Sequence, residues 1–314
     1  MSLKTFAPLF ADETKAIAFV ESMMWPDGEP VCPHCETKGR SYRLQGVKDK
    51  KGEVRLGLWK CGACRKQFTV RHNSIFAESH IPLRNWLYAI HAMCSSKKGI
   101  SANQLHRTLG LSYKAAWFLC FRVREAMRQE PLASMLGGPN RIVELDETMV
   151  GGKLRNNKHR NKTAAAGKKT VVMTLIDREG EARAFVVPNT RKKTLQAVAK
   201  PIVDKSATIV TDALPSYDGL DDLFAAHHTV DHSKEFVRAV ILHTNFAESY
   251  HSLLKRGIIG AFHHVSQRHL QRYVDEFSFR WNSRKITDGE RTCAAIRGAK
   301  GKRLMYRQPT IMGE

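Results

Sequence analysis

Apolar residues along the chain follow two periods in turn. From Asp12 to Met24 they recur at helical spacing, with Asp12 in an N-cap position and Trp25-Pro26-Asp27-Gly28 as the stop. Between 31 and 72 the pattern breaks up around two close cysteine pairs, and Lys48-Asp49-Lys50-Lys51-Gly52 reads as a hairpin tip. Pro82 to Gln129 is helical again, with short breaks at Lys97-Lys98-Gly99 and at Gly110. Pro131 to Asn140, containing Gly137-Gly138-Pro139, reads as a linker.

Beyond the linker the period shortens to that of strands. Arg141 to Val150 alternates, and Lys169 to Val187 predicts two strands around the turn Asp177-Arg178-Glu179-Gly180. A helix over Lys193–Val203, a strand over Ala207–Thr211 and a further strand at His228–Val230 come next. Helices over Asn245–Arg256 and Ser266–Trp281 follow; Leu270, Tyr273, Val274, Phe277 and Trp281 line the core-facing stripe of the second. The layout predicts a multi-domain α/β chain. Its sections are an N-terminal helix and turn (1–28), a cysteine-rich segment (29–75), a helical domain (80–130) and a linker (131–140). A mixed α/β domain (141–290) and a basic C-terminal tail (291–314) complete it.

Charge narrows the partner. Against 30 Asp and Glu the 314 residues carry 51 Lys and Arg, a formal net charge of +21. An excess of that size points to a polyanion, nucleic acid first. The sequence holds neither a long apolar run nor a signal-peptide pattern, so the expectation is a cytoplasmic, nucleoid-associated protein without membrane contact. Cys94, Cys120 and Cys293 sit singly in apolar surroundings and read as small buried hydrophobes.

Cys32-Pro33-His34-Cys35 and Cys61-Gly62-Ala63-Cys64 are two C-x2-C pairs, the pattern of a structural zinc site. Each pair lies on one tight turn, and four thiolates close a tetrahedral shell, leaving no open position for chemistry. Lys60, Arg65, Lys66 and Arg71 beside the ribbon are candidate DNA contacts. Ser101 and Ser112 occupy N-cap positions on either side of Gly110, which predicts a helix-turn-helix. Its second helix would turn Ser112, Tyr113 and Lys114 toward bases, with Trp117, Leu119, Cys120 and Val123 in the core.

Carboxylates in the second half are the candidate chemistry. Along Glu144-Leu145-Asp146-Glu147-Thr148 the side chains of Glu144, Asp146 and Thr148 share one face of a strand. Glu144, more than Glu147, could approach the site, with a bond to backbone or a lysine favoured for it. Asp212 ends its strand, where open α/β sheets place their sites. Glu248 lies on a late helix, with Lys255 two turns further on the same face. Three converging carboxylates can hold two divalent cations for phosphodiester displacement. His263-His264 reads as capping or loop packing, Asp221-Asp222 as solvated, and the polar run from Lys153 to Lys169 as a loop.

Over nearly its full length the chain resembles the DDE-type transposases of the ISXO-like insertion-sequence group. The stretches that carry the resemblance are Trp25-Pro26-Asp27-Gly28 before Cys32, the cysteine ribbon, Val143–Lys153 (VELDETMVGGK) and Ile209–Tyr217 (IVTDALPSY). His243–Arg256 (HTNFAESYHSLLKR), Phe262–Ser266, His269–Arg284 and Gly301-Lys302-Arg303-Leu304 extend it. The resemblance implies an RNase H-like catalytic fold with Asp146, Asp212 and Glu248 as the acids. Asn245 competes for the third place, and Glu248 is favoured as the simpler metal ligand. Lys255, and Arg256 beside it, would contact the DNA.

The function expected is a transposase that binds terminal inverted repeats, cleaves 3′ ends and transfers strands with two Mg²⁺ or Mn²⁺ ions. Pairing two element ends calls for a dimer or higher oligomer on double-stranded DNA. A DNA-binding regulator without cleavage activity is the alternative, and a nuclease of the same fold is a second.

Overall fold

The computed structural model describes residues 3–129, 134–151, 169–230 and 243–305. Residues 153–168 of the expected basic loop and 131–133 of the expected linker lie outside them. The chain falls into two units, one of residues 1–128 with 285–314 and one of residues 129–284.

The first unit opens with α1 (Leu3–Ala11), which the hydrophobic pattern did not predict, and α2 (Glu13–Met24). The Asp12 side chain caps α2 by accepting from the amides of Thr14 (2.8 Å) and Lys15 (3.1 Å). Strands β1 (Ser41–Arg43), β2 (Trp59–Cys61) and β3 (Gln67–Phe68) form a small antiparallel sheet. Trp25 at the end of α2 meets Trp59 and Phe68 edge-on, at 6.0 and 6.2 Å between ring centroids. Glu21 of α2 bonds both Arg43 and the Trp59 indole, so ribbon and helix share one core.

Helices α3 (Leu83–Ser95), α4 (Ala102–Leu109) and α5 (Tyr113–Met127) follow. Ser101 caps α4 through the Gln104 amide and Ser112 caps α5 through the Ala115 amide, each at 3.2 Å. Gly110 ends α4 at φ 63°, a left-handed position that suits glycine. The core of this unit includes Phe6, Trp86, Leu87, Ile90, Leu105, Leu119 and Val123.

In the second unit β4 (Ile142–Val150), β5 (Thr170–Asp177) and β6 (Ala182–Val187) run antiparallel. Helix α6 (Lys192–Ala199) leads to β7 (Thr208–Asp212), and a short 3-10 turn at Pro215–Tyr217 to β8 (Ala226–Val230). The sheet order is β6-β5-β4-β7-β8, with β7 parallel to both β4 and β8. Three antiparallel strands continued by two strands parallel to the first make an RNase H-like sheet, as the family resemblance implies.

Helices α7 (Asn245–Gly257), continued by a π turn at Ile258–Phe262, and α8 (Gln267–Asn282) complete the unit. One apolar cluster joins Val143, Leu145, Met173 and Ile209 to Leu195 and Ala199 of α6. The other joins Val150, Val172 and Ile176 to Tyr250 and Leu254 of α7 and to Leu270, Val274 and Phe277 of α8. Alternation along β4 thus sends Val143 and Leu145 to one face and Glu144, Asp146 and Thr148 to the α7 face.

The chain then returns to the first unit as α9 (Asp288–Arg297). Thr287 and Glu290 form a capping box at its start, and the Thr292 hydroxyl stands 3.1 Å from the buried His91 ring of α3. The stretch read as a basic tail from 291 is therefore helical as far as Arg297, and its start belongs with α3. Local pattern alone does not reveal this, because the partners of α9 lie far away in the chain.

Candidate functional site

Two sites stand out, one in each unit. In the first, the four cysteine Sγ atoms all lie within 4.8 Å of one another. Cys32 faces Cys64 and Cys35 faces Cys61, both at 3.7 Å. Zinc–sulfur bonds of about 2.3 Å in a tetrahedron give edges of about 3.8 Å, so the donor set fits Zn²⁺. Each pair lies in a turn of the same kind: the amide of Glu36 bonds the Cys32 carbonyl, and that of Arg65 the Cys61 carbonyl. Each of these following residues is left-handed, Glu36 at φ 59° and Arg65 at 62°. A side chain at Gly62 would meet the Arg40 carbonyl at 2.7 Å, which only glycine avoids. Hydrogen bonds to the Thr37 hydroxyl, then its amide, pull the Cys35 thiol down to about 6, toward the thiolate that binds metal.

Of the basic residues near the ribbon, Arg65 and Lys66 are exposed and Lys60 is half-buried. Arg71 is engaged internally: it donates to the carbonyls of Ser79 (3.2 Å) and Ile81 (2.9 Å) and pairs with Glu13 at 3.5 Å. Its expected place as a DNA contact gives way to a structural one. Ser112, Tyr113 and Lys114 are exposed at the start of α5. Leu119, Cys120 and Val123 are buried as expected, whereas Trp117 is only half-buried, with its ring 4.1 Å from that of Phe121.

In the second unit, Asp146 stands half-buried on β4. Register explains its neighbour: Glu144 pairs with Val210, and Asp146 and Asp212 each lie two residues beyond that pair on parallel strands. Both aspartates therefore project to the same side. The Asp146 Oδ2 lies 3.4 Å from Nδ1 of the buried His251, and His251 Nε2 lies 3.0 Å from the Thr174 hydroxyl. Glu248 is exposed on the first turn of α7, as is Asn245, and Lys255 and Arg256 are exposed further along. Residues 248, 251 and 255 follow helical spacing on one face. Among the described residues, the cysteines form the one group of three or more metal-ligating side chains gathered so closely. The acids come to one side of the sheet, but not to that spacing.

Glu147 points the other way and accepts a 2.6 Å hydrogen bond from the Tyr217 hydroxyl. Burial first, then the charges of Asp212 and Asp146, raise its carboxyl above the ordinary range, while the Tyr217 bond opposes them. Tyr217 is itself pushed well up, by burial and then by Glu147. Glu144 is fully buried and bonds the Arg178 guanidinium at 2.7 Å. Its other oxygen accepts the amides of Phe246 (2.9 Å) and Ala247 (3.0 Å). It binds backbone and an arginine, where the sequence reading favoured backbone or a lysine.

Sequence reasoning missed His251, Tyr217 and Arg178. The i, i+3, i+7 spacing from Glu248 through His251 to Lys255 was a usable signal for the first. Arg178 read only as a turn residue, and nothing local ties it to α7. Asp221 and Asp222 are exposed, and His263 closes the π turn through the Ile259 carbonyl at 3.1 Å.

Comparison with known proteins gives the family. Residues 135–282 match the ISXO2-like transposase domain, and residues 11–67 match the transposase zinc-ribbon domain. An uncharacterized protein in transposable element ISH50 of Halobacterium salinarum is 26% identical over 300 residues, covering 89% of this chain and 93% of that protein. A transposase-like protein of Haemophilus influenzae is 30% identical over 112 residues, 32% of this chain and 80% of that one. Among solved structures, a pre-cleavage Mos1 transpososome matches at 16% identity and a TM-score of 0.26. The Mos1 mariner paired end complex with Mn matches at 15% and 0.27; each match covers 68% of this chain and 78% of the other.

Proposed function

We propose, because this chain belongs to the ISXO2-like transposase family, that it binds the terminal repeats of a mobile element, cuts their 3′ ends and joins them to target DNA. The observation that carries this reading is the pairing of Asp146 and Asp212 on adjacent parallel strands, on the face that α7 covers with Glu248. Three carboxylates make the hard oxygen set that Mg²⁺ and Mn²⁺ prefer. Bound there, the cations would activate a water or 3′-hydroxyl and stabilise the leaving oxygen.

The chain's own residues divide the remaining work. His251 holds Asp146 from α7, fixing the carboxylate's orientation. Lys255 and Arg256, exposed along that helix, would neutralise phosphates beside the reacting end. Tyr113, 55% exposed at the capped start of α5, would contact bases together with Ser112 and Lys114. The net charge of +21 favours a duplex partner, and pairing two element ends calls for at least a dimer on DNA. Among the described residues no helix is long and apolar enough to cross a membrane.

Labelled element-end DNA, incubated with the protein and Mg²⁺ or Mn²⁺, tests the reading. The wild-type protein should nick and join it; Asp146→Asn should bind with unchanged affinity and lose cleavage by roughly 1,000-fold or more, the scale of removing a principal electrostatic group. Full activity in that variant would end the assignment. Binding without nicking by the wild-type protein would instead identify a regulator.

A further inference from the structure

Glu144 and Arg178 take no part in the chemistry just proposed, yet they form an ion pair whose carboxylate is fully buried and bonded at both oxygens. Glu144 is 0% exposed on β4, two residues before Asp146 and on the same face. A carboxylate in that position needs partners for both oxygens. One oxygen takes Arg178 Nε at 2.7 Å and stands 3.3 Å from His243 Nδ1. The other accepts the Phe246 and Ala247 amides, two of the four that a helix start leaves without a partner.

The N-cap residue of α7, Thr244, makes no side-chain cap bond, so this helix receives its cap from a strand of the sheet. Arg178, at the turn between β5 and β6, also donates to the His243 carbonyl just ahead of the helix. The entry to α7 is thus gripped by its amides and by a carbonyl, and the residue after the last gripped amide is Glu248. With both Glu144 oxygens occupied, this acid is not available as a ligand.

We propose that Glu144 and Arg178 are positioning residues that set the first turn of α7, and with it the Glu248 carboxylate, against Asp146. The inference rests on Glu248 being the third acid. One strand then fixes two acids of the site: Asp146 directly, and Glu248 through the cap that Glu144 gives its helix.

The test uses the full zinc-loaded chain with Glu144→Gln and Arg178→Lys, beside Asp146→Asn and Glu248→Gln. Three quantities are read: hydrogen exchange over residues 243–257, Mn²⁺ binding followed by the electron paramagnetic resonance of free Mn²⁺, and cleavage of element-end DNA. Glu144→Gln should speed exchange at 245–250 and weaken Mn²⁺ binding by roughly 10–100-fold, the range for residues that orient metal ligands. Saturating Mn²⁺ should recover part of its cleavage. Arg178→Lys should shift both in the same direction but less, since lysine keeps the charge and loses the fork; it carries the test if Glu144→Gln does not fold. Wild-type exchange and Mn²⁺ binding in a folded clamp variant would overturn the proposal while leaving the acid assignment intact. Cleavage by Glu248→Gln would instead remove the third acid, whatever the clamp variants do.

Discussion

Glu144 and Asp146 share a strand face, two positions apart, and differ in what reaches them. Glu144 is enclosed by a guanidinium and two helix amides, whereas Asp146 is half-buried beside the His251 ring and the Glu147 amide. Alternation told which acids face together; it could not tell which would be neutralised, because the partners come from residues 178 and 246–247. Titration poses a similar problem at His91, whose ring stacks on Phe6 at 4.8 Å and is lowered in pKa by burial, with Asp288 opposing. The unfolded chain, with histidine near pKa 6.5, takes up this proton more readily than the folded one. The stability it confers is therefore complete above about pH 6.5 and is lost on acidification below that value. Thermal unfolding followed from pH 7 to pH 5 should show the first unit's midpoint falling. His91→Gln should lessen that slope, and an unchanged slope would assign the dependence to other groups.

Elements defined by strong local chemistry were legible. Serine caps, the left-handed Gly110 and the two C-x2-C turns each leave a signature within a few residues, and α2, α4, α5 and the ribbon stand where those signatures fall. Helix α1 carries Pro8 and no N-terminal signal, so it escaped notice. The ribbon's short strands cannot bury much by themselves, and its geometry depends on four thiolates held at 3.7 Å across each facing pair. Removing the metal should let these thiols separate, and Trp59 and Phe68 should then lose their packing against Trp25. A strong chelator is expected to release one zinc per chain, red-shift the tryptophan emission and abolish DNA binding. An unaltered emission spectrum after complete zinc loss would show that the ribbon holds its shape without the ion.

At the scale of the whole molecule, the succession of strands and helices in the second unit followed from the hydrophobic pattern, but the chain's return to the first unit did not. Residues 285–305 rejoin the first unit, where α9 contributes buried Cys293, Ala295 and Ile296, and Ser74 bridges to Lys300. A chain ending at residue 284 should therefore lose the cooperative unfolding of its first unit, while the second, 129–284, stays folded. Calorimetry of the truncated protein checks this, and two intact transitions would refute it. The second unit's ends are held together by the side chains of Asn282 and Gln129, at 2.7 Å. In sequence the second unit is thus an insertion within the first, and biosynthesis must respect that order. At about 5–20 residues per second, a ribosome takes roughly 8–30 s to make the intervening stretch. Throughout that interval the half-finished N-terminal portion has an open seam where α9 will lie, so the nascent chain completes its first unit only after the whole of its second has emerged.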